Sequence, residues 1–372
     1  MQNRVLEIAA SVIAKSDRSH PADAVLRTKL RKQKSLPPEQ SRETARAVFA
    51  YYRWMGWLDR RQPISKQLRQ AVELADRFQH EPGGFSSEDL LAKAIPPWTS
   101  LQVNVTVEWI HALQTEPKLW LRTRPGQGKA VATKLGDCQL SHTLADALCY
   151  EGTKDLFRTP EFQAGEFELQ DISSQAVGLI CNPRPAETWW DACAGEGGKT
   201  LHLSDLMRNQ GLIWASDKAE WRLQKLKQRA ARAKVFNYRT ALWNGAQKLP
   251  TKTKFNGVLV DAPCSGLGTW QRNPQARWTT GPQDVEELGT LQERLLANVV
   301  PGLKPGGRLI YAVCTLTRRE TTDVAASLQR RFPELQPLIA TDPFGASPPS
   351  AHHWLWPKVT YGNGMFVAAW QK

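Results

Sequence analysis

"GVLVDAPCSG" (Gly257–Gly266) and "RLIYAVCTLT" (Arg308–Thr317) are built alike. Each is a short apolar run that reads as a buried strand, and each stops on a cysteine with turn residues just beyond. Outward from this pair, strand-like and helix-like stretches alternate from Gln170 on. "ETWWDACA", "GLIWASD", "GVLVDAP" and "GRLIYAVC" read as strands, and "LHLSDLMRN", "EWRLQKLKQRAARA" and "LQERLLANVV" as helices. That alternation is the pattern of a parallel sheet with crossover helices. The expected class is therefore α/β, with a Rossmann-like, mostly parallel, doubly wound sheet over residues 170–372.

The first 98 residues read differently, as an all-helical domain. Val5, Ile8, Ala9, Val12 and Ile13 have the spacing of an amphipathic helix. Pro21 and Pro37-Pro38 sit at helix-start positions, and Ala45, Val48, Phe49 and Tyr52 recur on one face. "HEPGG" (80–84) is a break, and "IPPW" (95–98) ends the segment. Residues 99–169 combine a helix expected at Val103–Leu113 with short runs such as "LWLRT", which indicates a small α+β unit.

Of the 372 residues, 41% are hydrophobic and 23% charged, ordinary values for a soluble globular protein. No apolar run has the length of a membrane span, and the N-terminal helix carries Glu7, unlike a secretory signal. The expectation is a cytoplasmic protein with its six cysteines reduced and no metal site, since none of them has C-x-x-C spacing. Cys138, Cys149 and Cys181 read as small buried hydrophobes. Nothing in the sequence requires more than a monomer, and no contact with a membrane is expected.

The net charge of +13 points to a polyanionic partner. The surplus is concentrated at the start, where "RTKLRKQK" (Arg27–Lys34) is the densest stretch. Such a run is also compatible with a solvated helix face. Among fifteen tryptophans some could stack on bases while most fill the core.

Ligands of an open parallel sheet bind beyond the carboxyl ends of its strands. There the first strand runs into "DACAGEGGKT" (Asp191–Thr200), a glycine-rich turn opening a helix. It nearly forms a phosphate-binding P-loop, but Cys193 stands where that motif needs glycine, and Glu196 would repel a triphosphate. The next strand ends in Asp217, an acid at a distance that suits a ribose diol. A nucleoside with a cationic tail fits this combination. S-adenosylmethionine is such a molecule, whereas NAD would call for G-x-G-x-x-G.

If the strands ending at Asp261 and Cys314 are neighbours, two thiols and a carboxylate converge on the methyl donor. A thiol is needed when the carbon to be methylated is not nucleophilic, as at C5 of cytosine. Addition of a thiolate to C6 turns C5 into an enamine carbon. Two buried structural cysteines are the competing reading.

At these residues the chain resembles the RNA cytosine-5 methyltransferases of the Nop/Sun type. "QDISSQ" (170–175), "DACAGEGGKT", "DAPCSGLGT", "RNPQARW" (272–278), "LQERLLANVVPGLKPGGRLIYAVCT" and "GNGMFVA" (362–368) carry the resemblance in order, over Gln170–Trp370. It implies a methyltransferase domain that uses S-adenosylmethionine. Cys314 would be the nucleophile, Cys264 would assist product release, and Asp261 would hold the base and touch the cofactor. Ala194, Gly195, Glu196, Gly197, Gly198, Lys199, Asp217 and Asn244 would form the cofactor site together with Asp261.

The chain departs from the family's pattern at four places. Gly195-Glu196 replace Ala-Pro, Val313 replaces a threonine, Asn244 stands where an acid is expected, and Glu320-Thr321 replace Glu-Asn. "ETARAVFAYYRWMGWLD" (43–59) resembles the NusB-type RNA-binding domain that precedes bacterial ribosomal members. The resemblance implies methylation of cytosine C5 in RNA, ribosomal RNA before transfer RNA, as part of rRNA processing. The rival reading is a non-catalytic RNA-binding or ribosome-assembly factor that keeps the fold.

Overall fold

The computed structural model describes residues 2–33 and 35–372; Lys34, the end of the basic stretch, lies outside the described residues. The chain forms two compact units. One is Met1–Pro117 with Gly266–Asp284, the other Lys118–Ser265 with Val285–Lys372.

The first unit is helical: α1 (Asn3–Lys15), α2 (Ala22–Lys32), α3 (Pro38–Arg53), α4 (Ile64–His80), α5 (Ser87–Lys93) and α6 (Val107–Gln114). Pro21 and Pro37 immediately precede α2 and α3, where a missing N–H costs nothing. Val5, Ile8, Ala9 and Val12 of α1 are buried, as their spacing predicts. On α3 the buried face is centred on Thr44, Ala47, Val48 and Tyr51, so Ala45 and Phe49 are only half-buried. Helix α6 starts four residues later than expected, because the Thr106 hydroxyl accepts from the Trp109 N–H at 3.2 Å and fixes the N-terminus there.

The segment Gly266–Asp284 is pinned into this unit by Arg277. Its fully buried guanidinium donates to the carbonyls of Ala94 (2.9 Å), Leu113 (2.9 Å) and Trp270 (3.3 Å) and to Gln114 Oε1 (2.8 Å). Burial pushes its pKa down to about 9. So many neutral acceptors around one buried cation stand in for the water it has lost.

The second unit holds two sheets. β1 (Leu119–Thr123), β2 (Cys138–Leu140), β3 (Ala147–Tyr150) and β4 (Phe167–Leu169) form an antiparallel sheet in the order β2-β3-β1-β4. The larger sheet contains β5 (Thr188–Asp191), β6 (Leu212–Asp217), β7 (Tyr238–Leu242), β8 (Phe255–Asp261), β9 (Leu303–Val313), β10 (Gln336–Pro337), β11 (His352–Leu355) and β12 (Met365–Gln371). Its order is β10-β12-β9-β8-β5-β6-β7, with β11 paired to β12. The pairs β5–β6, β6–β7, β5–β8 and β8–β9 are parallel, while β12 lies antiparallel to β9. The α/β, mostly parallel expectation therefore holds. Four strands the sequence did not announce complete the sheet, β7 on one side and β10, β11 and β12 on the other.

Helices Gly198–Leu206 and Glu220–Arg232 follow β5 and β6 as crossovers. Trp189, Trp190, Phe255, Tyr311 and Phe366 fill the core on the two faces. Strand order reverses at β5, between β6 and β8, and this is where a doubly wound sheet opens a crevice.

Candidate active site

Four strand ends meet at that crevice. β5 delivers Asp191, β6 Asp217, β8 Asp261, and β9 ends one residue before Cys314. Beyond them is a cavity of about 650 Å³, within the range of small-molecule sites. Its walls include Ala194, Gly195, Glu196, Asp217, Asn244, Asp261 and Cys264. Gly197, Gly198, Lys199 and Cys314 are not part of the wall.

The turn after β5 is shaped by its glycines. Gly195 (φ +54°) and Gly197 (φ +87°) are left-handed, and a Cβ on Gly197 would lie 2.5 Å from Leu226 Cγ. Asp217 braces the turn, its carboxylate accepting from Gly195 N at 3.0 Å and from Ala219 N at 2.8 Å. The Asn244 side chain accepts from Ala246 N at 3.1 Å.

Lys199 reaches the end of β8. Its ammonium is buried and pairs with Asp261 at 2.7 Å, and its charge also acts on Cys314. Behind the turn, Asp191 is fully buried. Its Oδ2 accepts from the Thr200 hydroxyl at 2.6 Å, and its Oδ1 meets no partner among the described residues. Burial, reinforced by the charge of Asp261, pushes its carboxyl up to about 7.

The register β8–β9 sets Asp261 opposite Ala312, so the two cysteines follow neighbouring strands out of the sheet. Their Sγ atoms are 3.2 Å apart. Burial pushes the Cys193 and Cys181 thiols up, so neither is predisposed to ionise.

A buried network under the cysteines escaped the sequence reading. Glu320 Oε1 accepts from the backbone N–H of Ser265 at 2.8 Å and from Gln292 Nε2 at 3.0 Å, and Oε2 accepts from the Thr317 hydroxyl at 2.9 Å. Gln292 Nε2 also donates to the Pro263 carbonyl (2.8 Å), and its Oε1 accepts from Tyr311 OH (2.9 Å). The residues flanking both cysteines are thus tied to one carboxylate. Glu320 was visible only as the remnant of a motif. Lys218, Arg222, Trp243 and Arg294, which also line the cavity, gave no signal in sequence.

The sequence pattern of the 16S rRNA methyltransferase RsmB/F family matches residues 178–371. The probable ribosomal RNA small subunit methyltransferase B of Synechocystis sp. is 36% identical over 273 residues, covering 69% of this chain and 60% of that protein. The chain thus spans about 60% of that relative's length. The crystal structure of PH0851 shares the fold, with a TM-score of 0.81 at 21% identity over 99% of this chain and 97% of that one. A methyltransferase homolog protein from Pyrococcus horikoshii superimposes with a TM-score of 0.59 at 26% identity, covering 81% and 99% of the two chains. With more than half its length matched, and with paired cysteines at the carboxyl edge of a doubly wound sheet, the chain belongs to the 16S rRNA methyltransferase RsmB/F family.

Proposed function

We propose that the protein transfers a methyl group from S-adenosylmethionine to C5 of a cytosine in RNA, with small-subunit ribosomal RNA as the substrate class. The observation that carries this reading is the pair of thiols 3.2 Å apart beside a cavity walled by Asp217 and Asp261. Family membership supports the methyl-transfer chemistry and the RNA class. No helix among the described residues is long and apolar enough to cross a membrane, in keeping with a cytoplasmic site of action.

The cavity suits the cofactor. Lys199, the only cation of the glycine-rich turn, is engaged with Asp261, which leaves the turn without a cation to hold a phosphate. Ala194, Gly195 and Glu196 would line the cofactor, with Gly197 and Gly198 shaping the turn behind them. Asp217 would hold the ribose and Asn244 the adenosine side. When bound, S-adenosylmethionine supplies an electrophilic methyl group on a cationic sulfur.

The remaining work falls to the chain. Cys314, attacking as its thiolate, adds to C6 of the pyrimidine while Asp261 holds the base. A bond forms between Sγ and C6, and the C5–C6 π pair moves so that C5 becomes the nucleophile. After methylation the C5 proton is removed, the double bond re-forms, and Cys314 leaves as thiolate. Cys264, whose Sγ lies 3.2 Å from that of Cys314, takes the C5 proton and so assists this last step. The helical residues 1–98 would grip the RNA.

Incubating the protein with S-adenosylmethionine carrying a labelled methyl group and with unmodified small-subunit rRNA tests the reading. Label should enter the RNA, and bisulfite sequencing should find it at cytosine. RNA that stays unlabelled would leave the fold in service of binding alone.

A further inference from the structure

The helical unit contains a second cavity, of about 730 Å³, that the reaction does not use. Five arginines line it: Arg27, Arg42, Arg46, Arg53 and Arg272, with Phe49 and Asn273 beside them. Two of its arginines already have acids, for Arg27 pairs with Asp23 at 3.3 Å, and Arg46 with Asp76 at 2.6 Å and Glu116 at 2.8 Å. The other three form no ion pair among the described residues, although the charge of Glu116 acts on Arg53. Among the described residues Arg42 and Arg272 make no ion pair and no side-chain hydrogen bond.

Arg53 is the unusual member. It is buried, with 3% of its surface exposed, and forms no ion pair among the described residues. One Nη donates to the Gln271 carbonyl at 3.1 Å, while Nε has no partner. A buried guanidinium with an unused donor is costly to keep unless an anion completes it. Burial lowers its pKa to about 10, which still leaves it charged at neutral pH.

Within this unit the cavity joins two separate parts of the chain. Arg42, Arg46 and Arg53 come from α3, whereas Arg272 and Asn273 come from the segment pinned by Arg277. An arginine fork matches the geometry of a phosphate, and Phe49 offers a ring face for a neighbouring base.

We propose that this cavity is a phosphate-binding site for the RNA backbone, with Arg42, Arg53 and Arg272 as its ligands and Phe49 as a stacking wall. The inference rests on the RNA reading above and names the surface that serves it. An acidic peptide or a free phosphorylated nucleotide would share part of this chemistry, and the test separates them.

The test uses the whole protein and measures binding of small-subunit rRNA over a salt series for the wild type, Arg42→Glu, Arg272→Glu and Arg53→Met. Arg42 and Arg272 are exposed, so their variants should keep the fold. Each glutamate variant should bind RNA at least ten-fold more weakly. Each lost phosphate contact should also reduce the slope of log affinity against log salt by about 0.7 to 0.9. Affinity for S-adenosylmethionine should stay at the wild-type value.

An unchanged salt slope in both glutamate variants would overturn the proposal. So would competition by polyglutamate or inorganic pyrophosphate as effective as that by unlabelled RNA. Wild-type protein that binds and methylates RNA while the variants match it removes only this site. Wild-type protein that does neither removes the functional reading, and this site with it.

Discussion

Ser265 and Glu320 are joined by a 2.8 Å hydrogen bond from the backbone N–H of one to the carboxylate of the other. Ser265 follows Cys264 directly. The same carboxylate accepts from Thr317 and, at 3.4 Å, from Thr315, which follows Cys314. The spacing of the two thiols is therefore set by a buried acid contributed from beyond both strands.

Glu320→Gln should disturb that spacing without emptying the space. The amide turns an N–H₂ toward groups that are themselves donors, leaving buried donors unmatched at a cost of roughly 1–3 kcal/mol. We expect a slower methyl-transfer step in single-turnover kinetics with cofactor affinity unchanged. A variant that transfers methyl at the wild-type rate would show that the network does not govern the cysteines.

Asp217→Ala should weaken S-adenosylmethionine binding by about 1.5–3 kcal/mol, the range for losing a charged hydrogen-bond partner. Part of that loss would come from the turn, because Gly195 N and Ala219 N lose their acceptor. Calorimetry on the folded variant measures it directly, and unchanged affinity would take Asp217 out of the site.

Asp191 makes stability depend on pH with a definite sign. Its carboxyl is raised from 3.8 to about 7 in the fold, so its contribution is fully present below pH 3.8 and is lost as pH rises toward and through 7. Asp191→Asn stays neutral throughout. Urea denaturation should therefore show the variant gaining roughly 2 kcal/mol on the wild type between pH 5 and pH 8. Parallel stability curves across that range would mean that the buried carboxyl does not titrate there.

Local pattern carried the sheet far. The apolar runs ending at Asp261 and Cys314 were legible as strands because burial on both faces leaves a continuous hydrophobic signature. Their adjacency stood only as a condition in sequence, and the parallel pairing of β8 with β9 meets it. Strand β7, "YRTAL", was not legible, since it lies at the sheet edge with Leu242 exposed and Arg239 at its second position. Nothing local could reveal that Arg277 is buried, because its acceptors on Ala94, Leu113 and Gln114 lie more than 160 positions away. The partner of Lys199 was hidden for a similar reason, since Asp261 comes from another strand, 62 residues on.

The division of labour between the cysteines is the claim most open to direct test. Each single variant and the double variant can be incubated with RNA and S-adenosylmethionine and run on a denaturing gel. Cys264→Ala should still attack and methylate, then stall as a slow-migrating, nuclease-sensitive band of protein joined to RNA through Cys314. Cys314→Ala and the double variant should show no such band and no methyl transfer. A band with Cys314→Ala and none with Cys264→Ala would reverse the roles, and two active single variants without any band would contradict the covalent mechanism.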